Sequence, residues 1–193
     1  MDRRLDVYLA CVTPAVQVTR ANPGDRVMAI DRLALFARLK ALGIATTTVE
    51  HTPMFTVEQS EALRGQIQGA NTKNLFLINK EGRMVLVVAK DDTRVDLKAL
   101  GKALGLGRLS FGSAALLEAV LGVPGGSVTP LALLNDSAGS VIVVVDQALT
   151  EFAEVNCHPL ENTATTRLAT ADLLRFIAAS GHEARVLALQ DPS

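Results

Sequence analysis

Thr72-Lys73-Asn74-Leu75-Phe76-Leu77-Ile78 opens the stretch of sequence that decides the fold. Two apolar runs, residues 74–79 and 84–89, flank the turn Lys80-Glu81-Gly82-Arg83, in which the glycine can adopt a positive φ. The pattern predicts an antiparallel hairpin. It sets Lys73 at the entrance of the first strand, where its ammonium group is held rigidly instead of moving freely in solvent.

Outward from this hairpin, apolar periodicity and capping residues predict further helices and strands. Helices are expected at residues 31–42, 56–64, 96–104, 113–121, 147–154 and 170–180. Strands are expected at residues 45–51, 108–111, 131–134, 140–146, 163–168 and 184–189, and 131–134 with 140–146 is a second predicted hairpin. Strands clustered in hairpins favour an α+β domain with a mixed, largely antiparallel sheet over a doubly wound parallel fold.

The length and composition fit one globular domain. The chain has 193 residues, of which 49% are hydrophobic and 20% are charged, and this is enough to bury a substantial core. We assign residues 28–193 to that domain and residues 1–27, which show little periodicity, to a flexible N-terminal extension. The longest apolar runs, 84–89 and 141–145, are far shorter than the roughly 20 residues of a membrane-spanning helix. No membrane association is expected.

Cysteine usage and the N-terminal residues both favour a cytoplasmic protein. The 2 cysteines, Cys11 and Cys157, provide neither a disulfide framework nor a multi-cysteine zinc pattern. Asp6 interrupts the apolar residues 5–12, and no small-residue cleavage site follows, so a secretion signal is not expected.

Charge is distributed unevenly along the chain. A net charge of −1 argues against a protein that coats nucleic acid by charge alone. Residues 64–108, however, carry nine Lys or Arg and only four Asp or Glu, and so a net charge of +5. That segment fits a basic surface for a tRNA acceptor stem or an ordinary solvated surface, and the sequence leaves both open.

Two further stretches carry chemistry. The loop 122–130 (Gly-Val-Pro-Gly-Gly-Ser-Val-Thr-Pro) contains glycines whose N–H groups can approach an ester carbonyl while negative charge develops on its oxygen. Residues 157–163 (Cys-His-Pro-Leu-Glu-Asn-Thr) add His158, beside a rigid proline, and Asn162. Together with the three donors of the Lys73 ammonium, these stretches predict a site for an anion and a carbonyl group.

Each of these features also has a structural interpretation. Lysines before strands are mostly solvated, glycine and proline are common wherever a loop turns, and His158 fits a structural histidine. His51 and His182 lie beside a strand end and a helix end, where surface roles suffice. Cys157 and His158 are neighbours on a strand and point to opposite faces, which argues against a cysteine hydrolase.

Taken together, the motifs point to a known family. Over residues 31–189 the chain resembles the freestanding relatives of the bacterial prolyl-tRNA synthetase editing (insertion) domain. The motifs that carry the resemblance are Thr-Val-Glu-Gln-Ser from Thr56, Lys-Asn-Leu-Phe-Leu from Lys73, Val-Asp-Leu-Lys from Val95, Gly-x-x-x-Pro from Gly126 and His-Pro-Leu-x-Asn-Thr-Ala-Thr-Thr from His158. The pattern is most similar to the branch that removes alanine from proline tRNA. The resemblance implies a curved mixed sheet flanked by helices, a substrate cleft on one side, and neither a cofactor nor a metal.

The resemblance also implies roles for individual residues. Catalytic roles are expected for Lys73, Gly126 and His158. Substrate-binding roles are expected for Asn74, Gly125, Ser127, Thr129, Pro130 and Asn162. Met54, Phe55 and Leu75 are the candidates for the pocket wall.

The activity implied by the resemblance is hydrolysis, in trans, of the ester of alanine mischarged onto proline tRNA. No nucleophile is evident, so water would attack with help from the substrate's own ribose hydroxyl. A pocket shaped for alanine excludes the larger proline side chain. Two alternatives stay open: removal of cysteine instead of alanine, and a non-catalytic module that binds tRNA. Besides the acceptor end of tRNA, prolyl-tRNA synthetase is a candidate partner.

Overall fold

The computed structural model describes residues 29–53 and 67–189. Three predictions concern residues outside these ranges: the N-terminal extension, the helix at 56–64 that follows a capping box, and the pocket-wall residues Met54 and Phe55.

Helices and strands alternate irregularly along the described chain. The helices are α1 Arg32–Ala41, α2 Leu97–Ala103, α3 Ala114–Leu121 and α4 Thr170–Ala179, with short 3₁₀ helices at Pro130–Asn135 and Gln147–Glu151. The strands are β1 Thr46–Glu50, β2 Ala70–Asn79, β3 Met84–Lys90, β4 Leu109–Phe111, β5 Val141–Asp146, β6 Glu154–Cys157, β7 Ala164–Ala169 and β8 Ala184–Leu187.

The described strands form one mixed sheet. Its order is β1-β7-β6-β2-β3-β5-β8, and β4 pairs with β2 outside this path. The pairs β1/β7, β6/β7, β2/β3 and β2/β4 are antiparallel, whereas β2/β6, β3/β5 and β5/β8 are parallel. The predicted α+β fold, a mixed sheet flanked by helices, is confirmed.

The predicted hairpin of residues 74–79 and 84–89 is also confirmed. β2 and β3 pair in continuous register from Thr72 opposite Lys90 to Ile78 opposite Met84. In the turn, the Asn79 side-chain oxygen accepts the backbone N–H of Glu81 at 3.1 Å and of Arg83 at 2.8 Å. The turn glycine has a φ of 80°, which a residue with a side chain adopts only with strain.

The sheet separates two hydrophobic cores, because successive side chains of a strand point to opposite faces. The larger core receives Phe76 of β2, together with apolar side chains of α1, α3 and α4. The smaller core receives Leu77 of β2 and Leu100 of α2. Alternation along β2 therefore directs Asn74 towards the larger core and Lys73 towards the smaller one.

The sheet splits along one edge of β2. β6 pairs with the start of β2 only, at Ala70 opposite Val155 and Asn71 opposite Asn156. β4 pairs on the same edge at the other end of β2, from Leu77 to Asn79. Between these two contacts no strand of the described chain covers residues 72–76 on that edge, and a gap opens in the sheet.

Three predictions about secondary structure are wrong. Residues 131–134 are not a strand, because Thr129 caps the 3₁₀ helix that begins at Pro130, accepting the N–H of Leu131 at 3.3 Å. The second hairpin is therefore absent from the described sheet, and β5 pairs instead with β3 and β8. The helix expected at 147–154 is a short 3₁₀ helix followed by the unpredicted strand β6.

Two individual residues also differ from the prediction. Lys73 lies inside β2 rather than at its entrance, because the strand begins at Ala70. His182 is 6% exposed and its Nε2 lies 3.0 Å from Asp136 Oδ2, so its predicted surface role is wrong. Of the helices in the described ranges, none combines the length and the apolar character that crossing a bilayer requires.

Candidate functional site

Lys73 and His158 lie on the two segments that border the gap in the sheet. β6 leaves β2 after the pair formed by Asn71 and Asn156, and the side-chain amide of Asn156 donates to Asn71 Oδ1 at 3.0 Å. Lys73 and His158 each follow that pair by two residues, Lys73 within β2 and His158 directly after the end of β6. His158 leaves the strand at this point, and it therefore lies at the mouth of the gap.

Asn74 connects the same stretch of β2 to the glycine loop, which lies on the opposite face. Its Nδ2 donates a hydrogen bond to the backbone carbonyl of Val128 at 3.0 Å. Its Oδ1 is buried and accepts no hydrogen bond within the described part of the chain. The side chain thus fixes the loop with one end and retains an acceptor at the other.

The glycine loop reaches the 158–163 segment at Asn162. α3 ends at Gly122, whose φ of 65° turns the chain into the loop. Gly126 has a φ of 84°, and a Cβ placed on it would lie 3.7 Å from Asn162 Nδ2. Gly125 and Gly126 are exposed, and their N–H groups donate to no group in the described ranges. The loop therefore presents two free backbone donors of the kind that an oxyanion site uses, and one of them belongs to the glycine that lies beside Asn162.

Hydrogen bonding and burial define the protonation state of His158. Its Nδ1 lies 3.2 Å from the carbonyl oxygen of Ala164. Because a carbonyl can only accept, Nδ1 carries the proton, and Nε2 of the neutral ring keeps its lone pair. Burial lowers the pKa of His158 below its ordinary 6.5, and the nearby charge of His51 lowers it further, against the Ala164 hydrogen bond. The ring therefore presents an acceptor at neutral pH.

His51 is a site neighbour that the sequence reasoning missed. Its backbone N–H donates to the carbonyl of Thr163 at 2.8 Å and extends the pairing of β1 with β7. Its Nδ1 lies 2.9 Å from the carbonyl of Thr52 and its Nε2 lies 2.9 Å from Thr165 Oγ1. The interpretation as an ordinary surface histidine is therefore incomplete. No local sequence signal pairs it with His158, because the two are joined only through the β1–β7 contact.

The segment 158–163 is anchored to α1. Arg32, near the start of that helix, donates to Glu161 at 2.7 Å and also to Glu50 at the end of β1. Its guanidinium lies 5.5 Å from the ring centre of Phe36. This bridge joins α1, β1 and the 158–163 segment, and it holds Asn162 in place beside the glycine loop.

The three other loop residues with a predicted role in substrate binding, Ser127, Thr129 and Pro130, are buried. Ser127 is 2% exposed and its N–H donates to the carbonyl of Pro124 at 3.1 Å, which closes a turn. Thr129 is fully buried as the cap of the 3₁₀ helix, and Pro130 is its first residue. These residues shape the loop, and their expected contacts with substrate stay predictions.

Lys73 is half-buried and has no carboxylate within ion-pair distance among the described residues. A hydrogen bond from Lys90 is the main cause that lowers the pKa of Asp92, and the charge of Lys73 adds a smaller effect.

Leu75 packs against the smaller core, so its role in a pocket wall stays a prediction.

Cys157 is not equipped to act as a nucleophile. The side chain is 2% exposed, and burial raises the pKa of its thiol to about 12. The Thr72 hydroxyl donates to the sulfur at 3.8 Å. The described residues also contain no group of three His, Cys, Asp or Glu side chains that could hold a metal ion.

Comparison with known proteins gives consistent matches. The family model for the aminoacyl-tRNA editing domain matches residues 51–176. The chain is 39% identical over 175 residues to prolyl-tRNA synthetase associated domain-containing protein 1 of Danio rerio, covering 89% of this chain and 95% of the relative. It is 37% identical over 157 residues to the prolyl-tRNA editing protein ProX of Acetoanaerobium sticklandii, covering 81% of this chain and 96% of the relative.

A solved structure matches the fold. It is described as the crystal structure of a proposed trans-editing enzyme for prolyl-tRNA synthetase, and the TM-score is 0.62 at 20% identity. The match covers 83% of this chain and 95% of the other. At that identity it supports the fold alone.

Proposed function

Since the chain belongs to the aminoacyl-tRNA editing domain family, we propose that it is a hydrolase that removes alanine from mischarged proline tRNA in trans. Within the family it is one of the freestanding relatives of the prolyl-tRNA synthetase editing domain. The observation that carries the proposal is the pair of free N–H groups on Gly125 and Gly126, in a loop that approaches Asn162 at Gly126. A cation, Lys73, and a neutral acceptor, His158, lie on the two segments that border the gap in the sheet.

The proposed binding mode follows from which groups donate and which accept. The ammonium of Lys73 donates to phosphate and ribose oxygens of the terminal nucleotide, and its charge complements that of the phosphate. Nε2 of His158 accepts a hydrogen bond from the α-ammonium group of the aminoacyl ester, because its lone pair is free. Asn162, whose Nδ2 is next to Gly126, orients the ester towards the loop.

The proposed reaction needs no protein nucleophile. Water adds to the ester carbonyl carbon, and the N–H groups of Gly125 and Gly126 stabilise the oxyanion that forms. The ester C–O bond then breaks, and the proton lost by water passes through the neighbouring ribose hydroxyl to the leaving oxygen. The products are free alanine and uncharged tRNA. Removing one such donor typically slows a hydrolase about 10²- to 10³-fold, so the loop accounts for a large part of the rate.

Discrimination is proposed to be steric. A pocket that fits a methyl side chain excludes the pyrrolidine ring of correctly charged prolyl-tRNA, whereas apolar fit alone separates alanine from cysteine only modestly. Removal of cysteine is therefore the alternative within the same reaction. We propose that the protein acts in the cytoplasm on the acceptor end of tRNA, and that prolyl-tRNA synthetase is a further partner.

A single-turnover deacylation assay tests the proposal. Alanine, cysteine and proline esters of proline tRNA are each incubated with excess enzyme, and release of alanine is expected to be fastest. Lys73→Ala is expected to slow that release by at least about 10²-fold, in the range seen when an electrostatic contact to the transition state is lost. The matched control is Lys40→Ala, which removes an exposed cation of α1. Release of none of the three amino acids would leave only the non-catalytic tRNA-binding alternative.

A further inference from the structure

A second surface of the chain has features of a ligand site, and the proposed reaction does not use it. It is a hollow of ≈ 620 Å³ between α2 and β4, on the side of the sheet that holds the smaller core. Its floor is apolar, and three cationic side chains stand around it. The lining residues are Leu97, Lys98, Lys102, Gly107, Arg108 and Leu109.

The three cations have no acidic partners within the described ranges. Lys98, Lys102 and Arg108 are exposed, and no carboxylate lies within ion-pair distance of any of them. Asp96, at the start of α2, accepts the backbone N–H groups of Lys98 and Ala99 at 2.7 Å and 3.1 Å as the helix cap. These hydrogen bonds are the main cause that lowers the pKa of Asp96, and the charge of Lys98 adds to the effect, so the carboxylate offsets part of the local charge. The remainder is left for a ligand to neutralise.

Two other cations of the same basic segment have acidic partners. The Lys90 ammonium forms an ion pair with Asp92, and the Lys80 ammonium lies 3.4 Å from Glu81 Oε1. Of the described cations of this segment that form no ion pair, Lys98, Lys102 and Arg108 lie around the hollow, whereas Lys73, Arg83 and Arg94 lie elsewhere. A row of separate cations suits a chain of phosphates better than one phosphate group.

An exposed aromatic side chain lies next to the hollow. Phe111 is 66% exposed, although most large apolar side chains of the described chain are buried. Phe111 pairs with Leu77 of the smaller core and follows Leu109 by two residues along β4. Its side chain therefore points to the same face as the hollow, and its backbone lies about 7 Å from that of Leu109 along the strand. An exposed ring beside a basic surface is the usual platform on which an unpaired base stacks.

We propose that this surface binds an unpaired stretch of RNA, with a base over Phe111 and the apolar floor and with the phosphates on Lys98, Lys102 and Arg108. The choice of RNA over other polyanions rests on the proposed function, whose substrate is a tRNA. The surface lies on the opposite side of the sheet from Asn74 and the glycine loop, and on the side to which Lys73 points, but at the end of β2 that pairs with β4, away from the gap.

Binding of a short, labelled, single-stranded RNA without an aminoacyl group tests the proposal, measured by fluorescence anisotropy over a salt titration. The triple variant Lys98→Gln, Lys102→Gln, Arg108→Gln is expected to weaken binding at low salt at least tenfold. It should also reduce the salt slope by about 2, since each cation on single-stranded RNA contributes roughly 0.7. Lys40→Gln, on the opposite face, should change neither quantity.

Phe111→Ala separates stacking from charge. It is expected to weaken binding roughly fivefold to a hundredfold with an unchanged salt slope, because a stacked base is lost and no charge is removed. The side chain is largely exposed, so the variant should fold with an unchanged thermal midpoint. An abasic strand of equal charge should bind the wild type more weakly than the RNA and should not distinguish the wild type from Phe111→Ala.

Three outcomes would overturn the proposal. They are equal binding by the triple variant and Lys40→Gln, equal binding of the RNA and the abasic strand, and complete competition by adenosine monophosphate, which would indicate a mononucleotide pocket. Failure of this proposal can be told apart from failure of the proposed function, because the RNA in the binding test carries no ester to hydrolyse. A wild type that binds this RNA through the surface but releases no amino acid would refute the deacylase alone.

Discussion

The side-chain amide of Asn74 donates a 3.0 Å hydrogen bond to the backbone carbonyl of Val128. The bond joins β2, which carries Lys73, to the loop that carries Gly126, although the two segments are distant in sequence. The Lys73 side chain and the loop lie on opposite faces of the sheet. The separation between the cation and the free N–H groups therefore depends on one amide side chain.

Asn74→Ala is expected to slow deacylation far more than it destabilises the fold. Loss of the bond should lower the free energy of unfolding by about 1–2 kcal/mol and leave the Val128 carbonyl unpaired. A loop displaced by about 1 Å costs roughly 10²-fold in rate. Urea unfolding and single-turnover kinetics measure the two effects. Asn79→Ala is the control, because Asn79 lies on the same strand, far from the gap, and also donates to a backbone carbonyl, that of Leu106, at 3.0 Å. Equal losses of deacylation rate in the two variants would contradict the coupling of Asn74 to the glycine loop.

Gly126→Ala is expected to impair catalysis through backbone geometry. The φ of 84° strains any residue with a side chain by about 1–2 kcal/mol, and relaxation of the loop would move the free N–H group. The expected loss in kcat is 10²- to 10³-fold, as for removal of an oxyanion donor. Gly43→Ala is the control, since its φ is 67° and no atom lies within 4 Å of the added Cβ. That variant should show the same strain in unfolding experiments and full activity.

Local signals were sufficient for elements that depend on their own residues. The β2–β3 hairpin is specified by two apolar runs and a glycine turn, and α3 by the Ser113 cap and the left-handed Gly122. The strand β5 was recognisable because it is apolar throughout, and its central residues are buried on both faces.

Elements that depend on distant partners were not predictable. β6 has only four residues and little pattern, and it is a strand because β7 and β2 pair with its two edges. The same pairing extends β2 back to Ala70, which moves Lys73 from the entrance of the strand to its interior. The position of His51 beside the site follows in turn from the β1–β7 register, which no local pattern specifies.

Cys157→Ala is expected to retain deacylation within about threefold of the wild type. Burial raises the pKa of the thiol to about 12, so the reactive thiolate is not populated at neutral pH. Loss of the sulfur leaves a small void and should cost about 1 kcal/mol of stability. Single-turnover kinetics and the rate of native-state alkylation by iodoacetamide provide the measurements. A rate loss comparable to that of Lys73→Ala would revive the cysteine hydrolase.

The rate should depend on pH through His158. Burial lowers the pKa of this ring below 6.5, so the neutral form, with Nε2 free to accept, persists at neutral pH. Lowering the pH through that reduced pKa adds a proton to Nε2 and removes the acceptor. The acid limb of kcat/KM for the wild type is therefore expected below pH 6.5. The His158→Gln variant should have a lower kcat/KM at neutral pH and should lack this acid limb. An acid limb that survives in the variant would have to be assigned to another ionisable group.

Stability in acid should depend on Asp136, which lies outside the candidate site. Burial alone would raise the pKa of this carboxyl, but hydrogen bonds from His182, the Val141 backbone and Ser140 outweigh it and lower the pKa to about 2 from an ordinary 3.8. A folded-state pKa below the unfolded value gives stability that is present above pH 3.8 and is lost as the pH falls towards 2. The shift corresponds to roughly 2 kcal/mol.

Asp136→Asn tests this linkage, because the amide keeps the shape of the carboxyl and removes the charge. The variant should be less stable than the wild type at pH 7 by roughly 2 kcal/mol, and the difference should shrink as the pH approaches 2. Urea unfolding at several pH values measures both curves. Asp172→Asn is the control, since that carboxylate pairs with exposed Arg175 on the surface of α4 and should change the curve little. A wild type and an Asp136→Asn variant that lose stability in parallel would assign the acid sensitivity to other carboxylates.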